Sequence, residues 1–205
     1  MTGAGTLYIV AAPSGAGKTS LVKALLESTP GIEVSVSYTT RPPRPNERNG
    51  IDYHFVDHAA FRQLIERGSL LEHAQVFGQY YGTSRVLVLD RLRTGIDLIL
   101  EIDWQGARQV RALLPDSISI FILPPSRASL LERLKHRGQD DDDVIQRRMR
   151  GAVEEMSHHA EFNYLIVNDE FATAVEALRA IIIAQRQRSS LQIARHRGLI
   201  HSLLS

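Results

Sequence analysis

Residues 12–19 read Ala-Pro-Ser-Gly-Ala-Gly-Lys-Thr, a glycine-rich segment that ends in a cation and a hydroxyl. This is close to the pattern G-x-x-x-x-G-K-[ST], in which backbone N–H groups converge on a phosphate anion. Gly15 and Gly17 permit backbone conformations that a side chain would block. Lys18 would bring a mobile cation to the β- and γ-phosphates, and the Thr19 hydroxyl could ligate Mg²⁺. The segment therefore predicts a site for a nucleoside triphosphate.

The first glycine of that pattern is replaced here by Ala12. Because Ala12 lies at the predicted exit of a strand, where an ordinary negative φ suffices, we expect little effect. The predicted ATP-binding residues of the loop are Ala12, Pro13, Ser14, Gly15, Ala16, Gly17, Lys18 and Thr19. The motif by itself leaves switch GTPases, ATPases and small-molecule kinases open.

A second group of chemically capable residues lies between residues 39 and 56. It reads Thr39-Thr40-Arg41-x-x-Arg44-x-x-Glu47-x-x-Gly50-x-x-Tyr53-x-Phe55-Val56. Arginine can grip a phosphate dianion through two parallel hydrogen bonds, and tyrosine hydroxyls can add further bonds. The string therefore favours a binding site for a second phosphate.

This string resembles the signature of the guanylate kinase family, and of its bacterial members above all. The resemblance continues through residues 71–74, 80–84, 102–106, 133–148 and 166–169, and it spans roughly residues 5–185. It implies transfer of the γ-phosphoryl group of ATP to GMP, and to dGMP, in guanine nucleotide synthesis and GMP recycling. Mg²⁺ would accompany the ATP, and no tightly bound cofactor is expected.

The resemblance assigns the residues that bind GMP. Four are placed on its phosphate: Arg41, Arg44, Tyr53 and Tyr81. Glu72 is given the N1–H and N2–H edge of guanine, with Ser37 and Thr83 as the hydroxyls for O6 and N7. Adenine would turn a lone pair toward Glu72, and leaving a buried acceptor unpaired costs about 1–3 kcal/mol. Selection against AMP follows.

The resemblance also assigns the catalytic residues. They are Lys18, Asp103 and three arginines of a mobile lid: Arg133, Arg137 and Arg148. Arg147 adjoins Arg148 and could take its role. Asp103 follows a predicted strand at the rim where α/β sheets bind ligands, beside GMP and Mg²⁺-bound water, and it could also cap the next helix. Asn168 is placed near the adenine of ATP by its position in the family.

A general base is not expected, because the acceptor is a phosphate oxygen. The second pKa of such a phosphate is about 6, so the oxygen is already ionised at neutral pH. Catalysis would then consist of positioning the two nucleotides and neutralising charge.

The elements that must position these residues alternate between strand and helix. Apolar runs predict strands over residues 7–12, 51–56, 97–102, 117–123 and 164–167, with two more around the turn at Gly78. Helices are predicted over 17–26, 61–67, 126–137, 139–160 and 172–188, and from Trp104. The alternation predicts an α/β fold: a P-loop kinase core with a central parallel sheet flanked by helices. A small mixed β insert for GMP and a helical lid would complete it.

We expect a single guanylate kinase-like domain over residues 1–205. The core would comprise residues 5–36, 96–126 and 161–188. The GMP-binding insert would be 37–95, the lid 127–160 and the C-terminal tail 189–205.

The composition is that of a globular protein. Hydrophobic residues make up 43%, charged residues 23%, and the net charge is +1, which points neither to DNA nor to an acidic membrane. The absence of cysteine excludes disulfides, thiol catalysis and thiolate metal sites. Without a signal peptide or a long apolar run at hand, we expect a cytoplasmic protein.

Several features are read as structural. The acidic run 140–143 is typical of a helix N-terminus rather than a metal site, and the adjacent His158 and His159 would diverge on a helix. Leu191, Leu199, Leu203 and Leu204 predict an amphipathic end that docks on the core or on a second subunit, which would give a homo-oligomer. RNA contact by this basic tail is a weaker alternative.

Two other functions stay open at this point. Scaffold proteins carry similar domains that bind peptides and have lost catalysis, but this chain keeps Lys18 and Thr19. A kinase for another small phosphate, such as a sugar phosphate, would have no use for Glu72, Ser37 and Thr83 in combination.

Overall fold

The computed structural model describes residues 4–76, 78–136 and 142–205. The strands are β1 (Leu7–Ala11), β2 (Ile32–Val34), β3 (Tyr38–Thr39), β4 (His54–Phe55), β5 (Leu70–Val76), β6 (Gln79–Ser84), β7 (Asp97–Glu101), β8 (Ile118–Leu123) and β9 (Tyr164–Val167). The helices are α1 (Lys18–Ser28), α2 (His58–Glu66), α3 (Arg85–Arg93), α4 (Trp104–Leu113), α5 (Arg127–His136), α6 (Asp142–Ser157), α7 (Phe171–Arg186), α8 (Ser189–Arg195) and α9 (Arg197–Leu204). A 3₁₀ turn covers His159–Glu161.

Five parallel strands form the central sheet in the order β2-β7-β1-β8-β9. All five residues of β1 are buried, as expected for a middle strand covered on both faces. On one face Val10 and Ile120 pack with Leu21 of α1 and Leu178 of α7. The other face is covered by α3 and α4, through Val88, Ala107 and Val110. The predicted α/β fold class is confirmed.

A second, mixed sheet has the order β4-β3-β6-β5. Strands β3 and β4 are parallel, whereas β6 is antiparallel to both β3 and β5. Gln109 of α4 ties this sheet to the core: its amide oxygen accepts from the His73 N–H at 3.1 Å, and its amide nitrogen donates to the His73 carbonyl at 2.7 Å. Strand β5 is thereby held beside α4.

Most predicted elements occur within a few residues of their expected bounds. Ser126 begins α5 as expected, since its hydroxyl accepts from the Ser129 N–H at 3.0 Å. The strand predicted over 51–56 is wrong in its first half. There Gly50 has a φ of 77° and the Asp52 carboxylate accepts from the Arg48 N–H at 2.8 Å, so the chain turns before β4 begins.

Some elements were not predicted, namely β2, β3, α3 and the split of the tail into α8 and α9. Helix α3 lies in the expected insert, yet its Val88 is buried against the central sheet. In the tail, Leu199, Leu203 and Leu204 are 56–83% exposed, so no described part of this chain covers them. Arg137, Asp140 and Asp141 lie outside the described residues.

None of the helices within the described ranges combines the length and the apolar character needed to cross a bilayer.

Candidate active site

The glycine-rich loop connects the end of β1 to the start of α1. Gly15 and Gly17 have φ values of 94° and 95°, in the left-handed region that favours glycine. The Ala16 N–H donates to the Pro13 carbonyl at 3.0 Å and closes the turn. The loop therefore presents backbone N–H groups beside the positive end of α1, which suits a phosphate.

Two predicted site residues support this loop from behind. The Asn168 amide donates to the Ala16 carbonyl at 2.7 Å. The Arg133 guanidinium donates to the same carbonyl at 3.4 Å and to the Asn168 carbonyl at 3.0 Å. A Cβ on Gly17 would lie 2.4 Å from the Asn168 amide nitrogen, so Asn168 packs directly on the loop. Both side chains are thus placed to hold the loop in shape.

Lys18 and Thr19 face the carboxyl end of β7. The Lys18 ammonium donates to the Ile102 carbonyl at 3.4 Å, and the Thr19 hydroxyl donates to the Glu101 carboxylate at 3.0 Å. The Glu101 carboxylate was not among the predicted site residues. Its place as the last residue of a parallel strand, at the rim where such sheets bind ligands, is the signal that could have found it.

Asp103 caps α4, the structural role that the sequence left open beside the functional one. Its carboxylate accepts from the Gly106 N–H at 2.9 Å and from the Gln105 amide at 3.1 Å. Asp103 also lines the same cavity as Lys18 and Glu72. The cap and a role in the site are therefore compatible.

Glu72 lies buried, with 2% of its surface exposed, at the opposite end of that cavity. The Thr83 hydroxyl donates to its carboxylate at 2.6 Å, and the Ser37 hydroxyl lies 3.4 Å from that of Thr83. Burial raises the pKa of Glu72 to about 7 against the lowering effect of the Thr83 hydrogen bond, and the Asp103 charge adds to the rise. The three polar side chains predicted to bind the nucleotide base, those of Glu72, Thr83 and Ser37, therefore lie next to one another.

The two predicted phosphate-binding arginines are held by one carboxylate. Glu47 lies 2.8 Å from the Arg41 guanidinium and 3.6 Å from that of Arg44. Burial would raise the pKa of Glu47, but the hydrogen bonds and charges of the two arginines outweigh it and lower that pKa. Arg41 also lies 5.4 Å from the ring centroid of Tyr53, and the Tyr53 and Tyr81 rings lie edge to face at 6.1 Å. The cationic group is thus fixed in place.

These groups open onto one cavity of about 450 Å³. The predicted site residues that line it are Ala12, Pro13, Ser14, Gly15, Gly17, Lys18, Thr19, Ser37, Arg41, Arg44, Tyr53, Glu72, Tyr81, Asp103 and Arg148. Ala16, Thr83, Arg133 and Asn168 lie behind this lining. Helix α6 contributes Val144, Arg147, Arg148 and Glu155, so both candidate lid arginines face the cavity.

A parallel sheet with a glycine-rich loop after its middle strand, facing a cationic pocket, defines a nucleotide-binding kinase of the P-loop class. A family profile described as guanylate kinase matches residues 4–185. The chain belongs to the guanylate kinase family.

Individual proteins agree with that assignment. The chain is 57% identical over 205 residues to a guanylate kinase of Saccharophagus degradans, covering 100% of both chains. It is 57% identical over 203 residues to a guanylate kinase of Escherichia coli (strain K12), covering 98% of each. A crystal structure of guanylate kinase from Anaplasma phagocytophilum has a TM-score of 0.78 at 33% identity, covering 92% of this chain and 89% of the other.

Proposed function

We propose that the protein transfers the γ-phosphoryl group of ATP to GMP and to dGMP, giving ADP and the corresponding diphosphate. It would serve guanine nucleotide synthesis and GMP recycling. The observation that carries this proposal is the buried Glu72 carboxylate, which shares one cavity with the phosphate-binding loop. Relatives named guanylate kinase over the full length of the chain support the same substrate.

The donor triphosphate would lie along the loop of residues 12–19. Its oxygens would accept from the loop N–H groups, while the Lys18 ammonium offsets their charge. The Thr19 hydroxyl and the Glu101 carboxylate are hard oxygen donors of the kind that Mg²⁺ prefers, and they lie 3.0 Å apart. They would hold Mg²⁺ together with phosphate and water oxygens, since no group of three or more His, Asp or Glu side chains among the described residues is arranged to hold a metal ion by itself. When bound, the ion would neutralise phosphate charge.

The acceptor GMP would bind across the cavity. Arg41 and Arg44, held by Glu47, would grip its phosphate, with the Tyr53 and Tyr81 hydroxyls as further donors. The ionised Glu72 carboxylate would accept from N1–H and N2–H of guanine. The hydroxyls that the family resemblance assigns to O6 and N7 are those of Ser37 and Thr83, which neighbour Glu72.

In the transfer step, a phosphate oxygen of GMP would attack the γ-phosphorus as the bond to the ADP oxygen breaks. That oxygen is already ionised at neutral pH, so no side chain has to remove a proton. Lys18 and a cavity-lining lid arginine, Arg148 or Arg147, would offset the charge of the transferring group. Arg133 would act by bracing the loop, and the role of Arg137 stays a prediction.

The test is ADP release measured by coupled assay with GMP, dGMP, AMP, CMP and UMP. We expect activity with the two guanine nucleotides. Glu72→Ala should lower kcat/KM for GMP by about 100-fold while leaving the low rate with AMP unchanged, because only guanine offers two donors to this carboxylate. Glu66→Ala, which removes an exposed carboxylate from α2, is the matched control. Activity confined to another nucleotide, or a Glu72→Ala protein that still prefers GMP, would contradict the proposal.

Two sequence-based expectations stay predictions. One is the cytoplasmic location. The other is a homo-oligomer formed through the tail, for which the exposed Leu199, Leu203 and Leu204 offer an apolar surface.

A further inference from the structure

Strand β5, which carries Glu72, is the outermost strand of the small sheet, and its pairing with β6 is irregular beside this residue. Leu70 lies opposite Ser84. Two residues further along β5, Glu72 lies opposite Thr83, which is only one residue away on β6. Leu71 is thus an extra residue, and such a bulge interrupts the ladder of backbone hydrogen bonds and redirects the side chains next to it. Pairing with β6 therefore constrains the backbone at Glu72 less firmly than a regular ladder would.

Helix α4 supplies a second constraint from the other side of β5. The Gln109 amide oxygen accepts from the His73 N–H at 3.1 Å, and the Gln109 amide nitrogen donates to the His73 carbonyl at 2.7 Å. A single side chain thus makes to one residue the pair of bonds that a neighbouring antiparallel strand would make. Because His73 directly follows Glu72, these two bonds fix the backbone within one residue of the buried carboxylate.

The same face of α4 also meets the carboxylate itself. A Cβ built on Gly106 would lie 2.4 Å from a Glu72 carboxylate oxygen, so this side chain lies directly against the helix. Gly106 and Gln109 are three residues apart and therefore share one side of α4. Leu71, the extra residue of the bulge, is buried in the apolar cluster that α4 helps to form. One side of a core helix therefore contacts the Glu72 carboxylate and also holds the backbone that carries it.

The contact from Thr83 constrains Glu72 in a different way. The Thr83 hydroxyl donates to the carboxylate at 2.6 Å, but both residues belong to the small sheet and this bond would move with the sheet. The bonds of Gln109 instead connect the small sheet to α4, whose Val110 is buried among residues of the central sheet. They therefore determine where Glu72 lies relative to the core, from which the phosphate loop faces the same cavity.

We propose that Gln109 is a positioning residue, a clamp on β5 that fixes the Glu72 carboxylate relative to the core and so sharpens selection of the guanine base. The consequence for the base rests on the proposed function. The clamp needs one acceptor and one donor at the end of a side chain of this length, which an amide supplies. Methionine is also unbranched and helix-favouring, but it has no N–H donor and only a weakly accepting sulfur.

The experiment compares the full-length parent with Gln109→Met and Gln109→Ala. Amide hydrogen exchange without nucleotides gives the protection of the His73 N–H, and the amides of β1, in the middle of the central sheet, report global unfolding. Calorimetry on the same proteins gives Kd for ATP, GMP and IMP. IMP keeps the N1–H of guanine but lacks the N2 amine, so the preference for GMP over IMP reports how well a carboxylate accepts from N2–H. Gln63→Met, at an exposed glutamine of α2, is the matched control.

We expect both Gln109 variants to exchange the His73 N–H about tenfold faster relative to the β1 amides, and to bind GMP about tenfold more weakly. The preference for GMP over IMP should fall at least about threefold, with Kd for ATP within about twofold. Agreement between the methionine and alanine variants would assign these effects to the two bonds, because the two side chains differ in volume. Gln63→Met should match the parent.

A Gln109→Met protein that protects the His73 N–H as well as the parent does would overturn the clamp. Faster exchange at His73 with an unchanged preference for GMP over IMP would overturn its role in base selection. A parent protein that does not bind GMP would contradict the proposed function, whereas the exchange of the His73 N–H would still decide whether Gln109 holds β5.

Discussion

At the scale of single residues, the position of Glu72 at one end of the cavity depends on a neighbouring residue, Gly106, that has no side chain. A Cβ built on Gly106 would lie 2.4 Å from a Glu72 carboxylate oxygen and 3.0 Å from its carboxyl carbon. Real Cβ atoms do not approach so closely, and Glu72 is only 2% exposed, with the cavity as the open space beside it. Gly106 is therefore required for Glu72 to keep its position, and that position carries the proposed guanine recognition.

Gly106→Ala tests this directly. Gly106 has helical geometry in the first turn of α4, so its backbone tolerates alanine, which is favoured over glycine in helices by about 1 kcal/mol. We expect the new methyl group to push Glu72 aside and raise KM for GMP by about tenfold or more, with KM for ATP unchanged. Gly198→Ala in α9, where a Cβ meets nothing within 4 Å, is the control. An unaltered KM for GMP in Gly106→Ala would show that Glu72 is free to adjust.

At the scale of elements, the end of α6 and the turn that follows it are fastened to α4. Glu161, in the 3₁₀ turn after α6, pairs with Arg108 at 2.5 Å and with Arg111 at 3.0 Å, both on α4. The His158 ring stacks on Trp104 with centroids 3.6 Å apart. Because Asp103 caps α4 and also lines the cavity, the helix that anchors the end of α6 also borders the cavity.

Glu161→Gln should weaken this anchor. The hydrogen bond from Arg108, with that from His158, lowers the pKa of Glu161 from an ordinary 4.5 to about 2. A carboxyl whose pKa is lower in the folded than in the unfolded protein stabilises the fold at pH values above its unfolded-state pKa. This stabilisation is lost as the pH falls toward the folded-state pKa. We therefore expect the variant to be less stable by about 1–2 kcal/mol at pH 7, after allowing for solvent screening of a partly exposed pair. The deficit should shrink steadily from pH 4.5 downward.

Urea unfolding at pH 7, 4 and 3 measures that difference. Glu176→Gln is the control, since its 3.6 Å pair with Arg179 lies on the exposed side of α7. A deficit that stays constant down to pH 3 would mean that the glutamate acts through its shape and not through its charge.

At the scale of the whole molecule, the elements that could be predicted from the sequence are those that a local sequence pattern determines. The apolar run before the loop and the glycine spacing within it gave β1, the loop and α1. Helix α3 was missed because its exposed Val86 and Leu87 obscure the helical period, while only Val88 is fully buried and Leu92 packs half-buried against the same core. The side of α3 that is buried depends on the central sheet that this helix covers. The sequence of α3 alone does not determine it.

The residues of the candidate site also divide into those that a local sequence pattern reveals and those that only the fold reveals. Lys18, Glu72 and the arginines could be named because they fall in recognisable strings. Glu101 could not, because its role arises from a contact with Thr19, which lies far away along the chain. A carboxylate at a strand end is common, so only the fold gives this one a function.

The folded chain as a whole should be destabilised by the buried carboxylate of Glu72. Burial raises the pKa of Glu72 from 4.5 to about 7. A carboxyl whose pKa is higher in the folded than in the unfolded protein does not affect stability at pH values below its unfolded-state pKa. Stability is lost as the pH rises from there through the folded-state pKa. The loss should grow between pH 4.5 and 7 and level off above, at a total of about 3 kcal/mol. Glu72→Gln keeps an oxygen for the Thr83 hydroxyl and avoids this loss.

We therefore expect Glu72→Gln, relative to the parent, to gain stability by about 3 kcal/mol between pH 4.5 and pH 8. Urea unfolding of both proteins without nucleotides, at pH 4.5, 6 and 8, measures the gain, and Glu66→Gln controls for the loss of one negative charge. Burial also raises the pKa of Glu155 to about 7, but Glu155 is present in both proteins, so its titration largely cancels in the difference. A gain that does not change with pH would mean that Glu72 titrates as an ordinary carboxyl. Stability and guanine selectivity would then be independent at this position, whereas the burial of Glu72 predicts that they oppose each other.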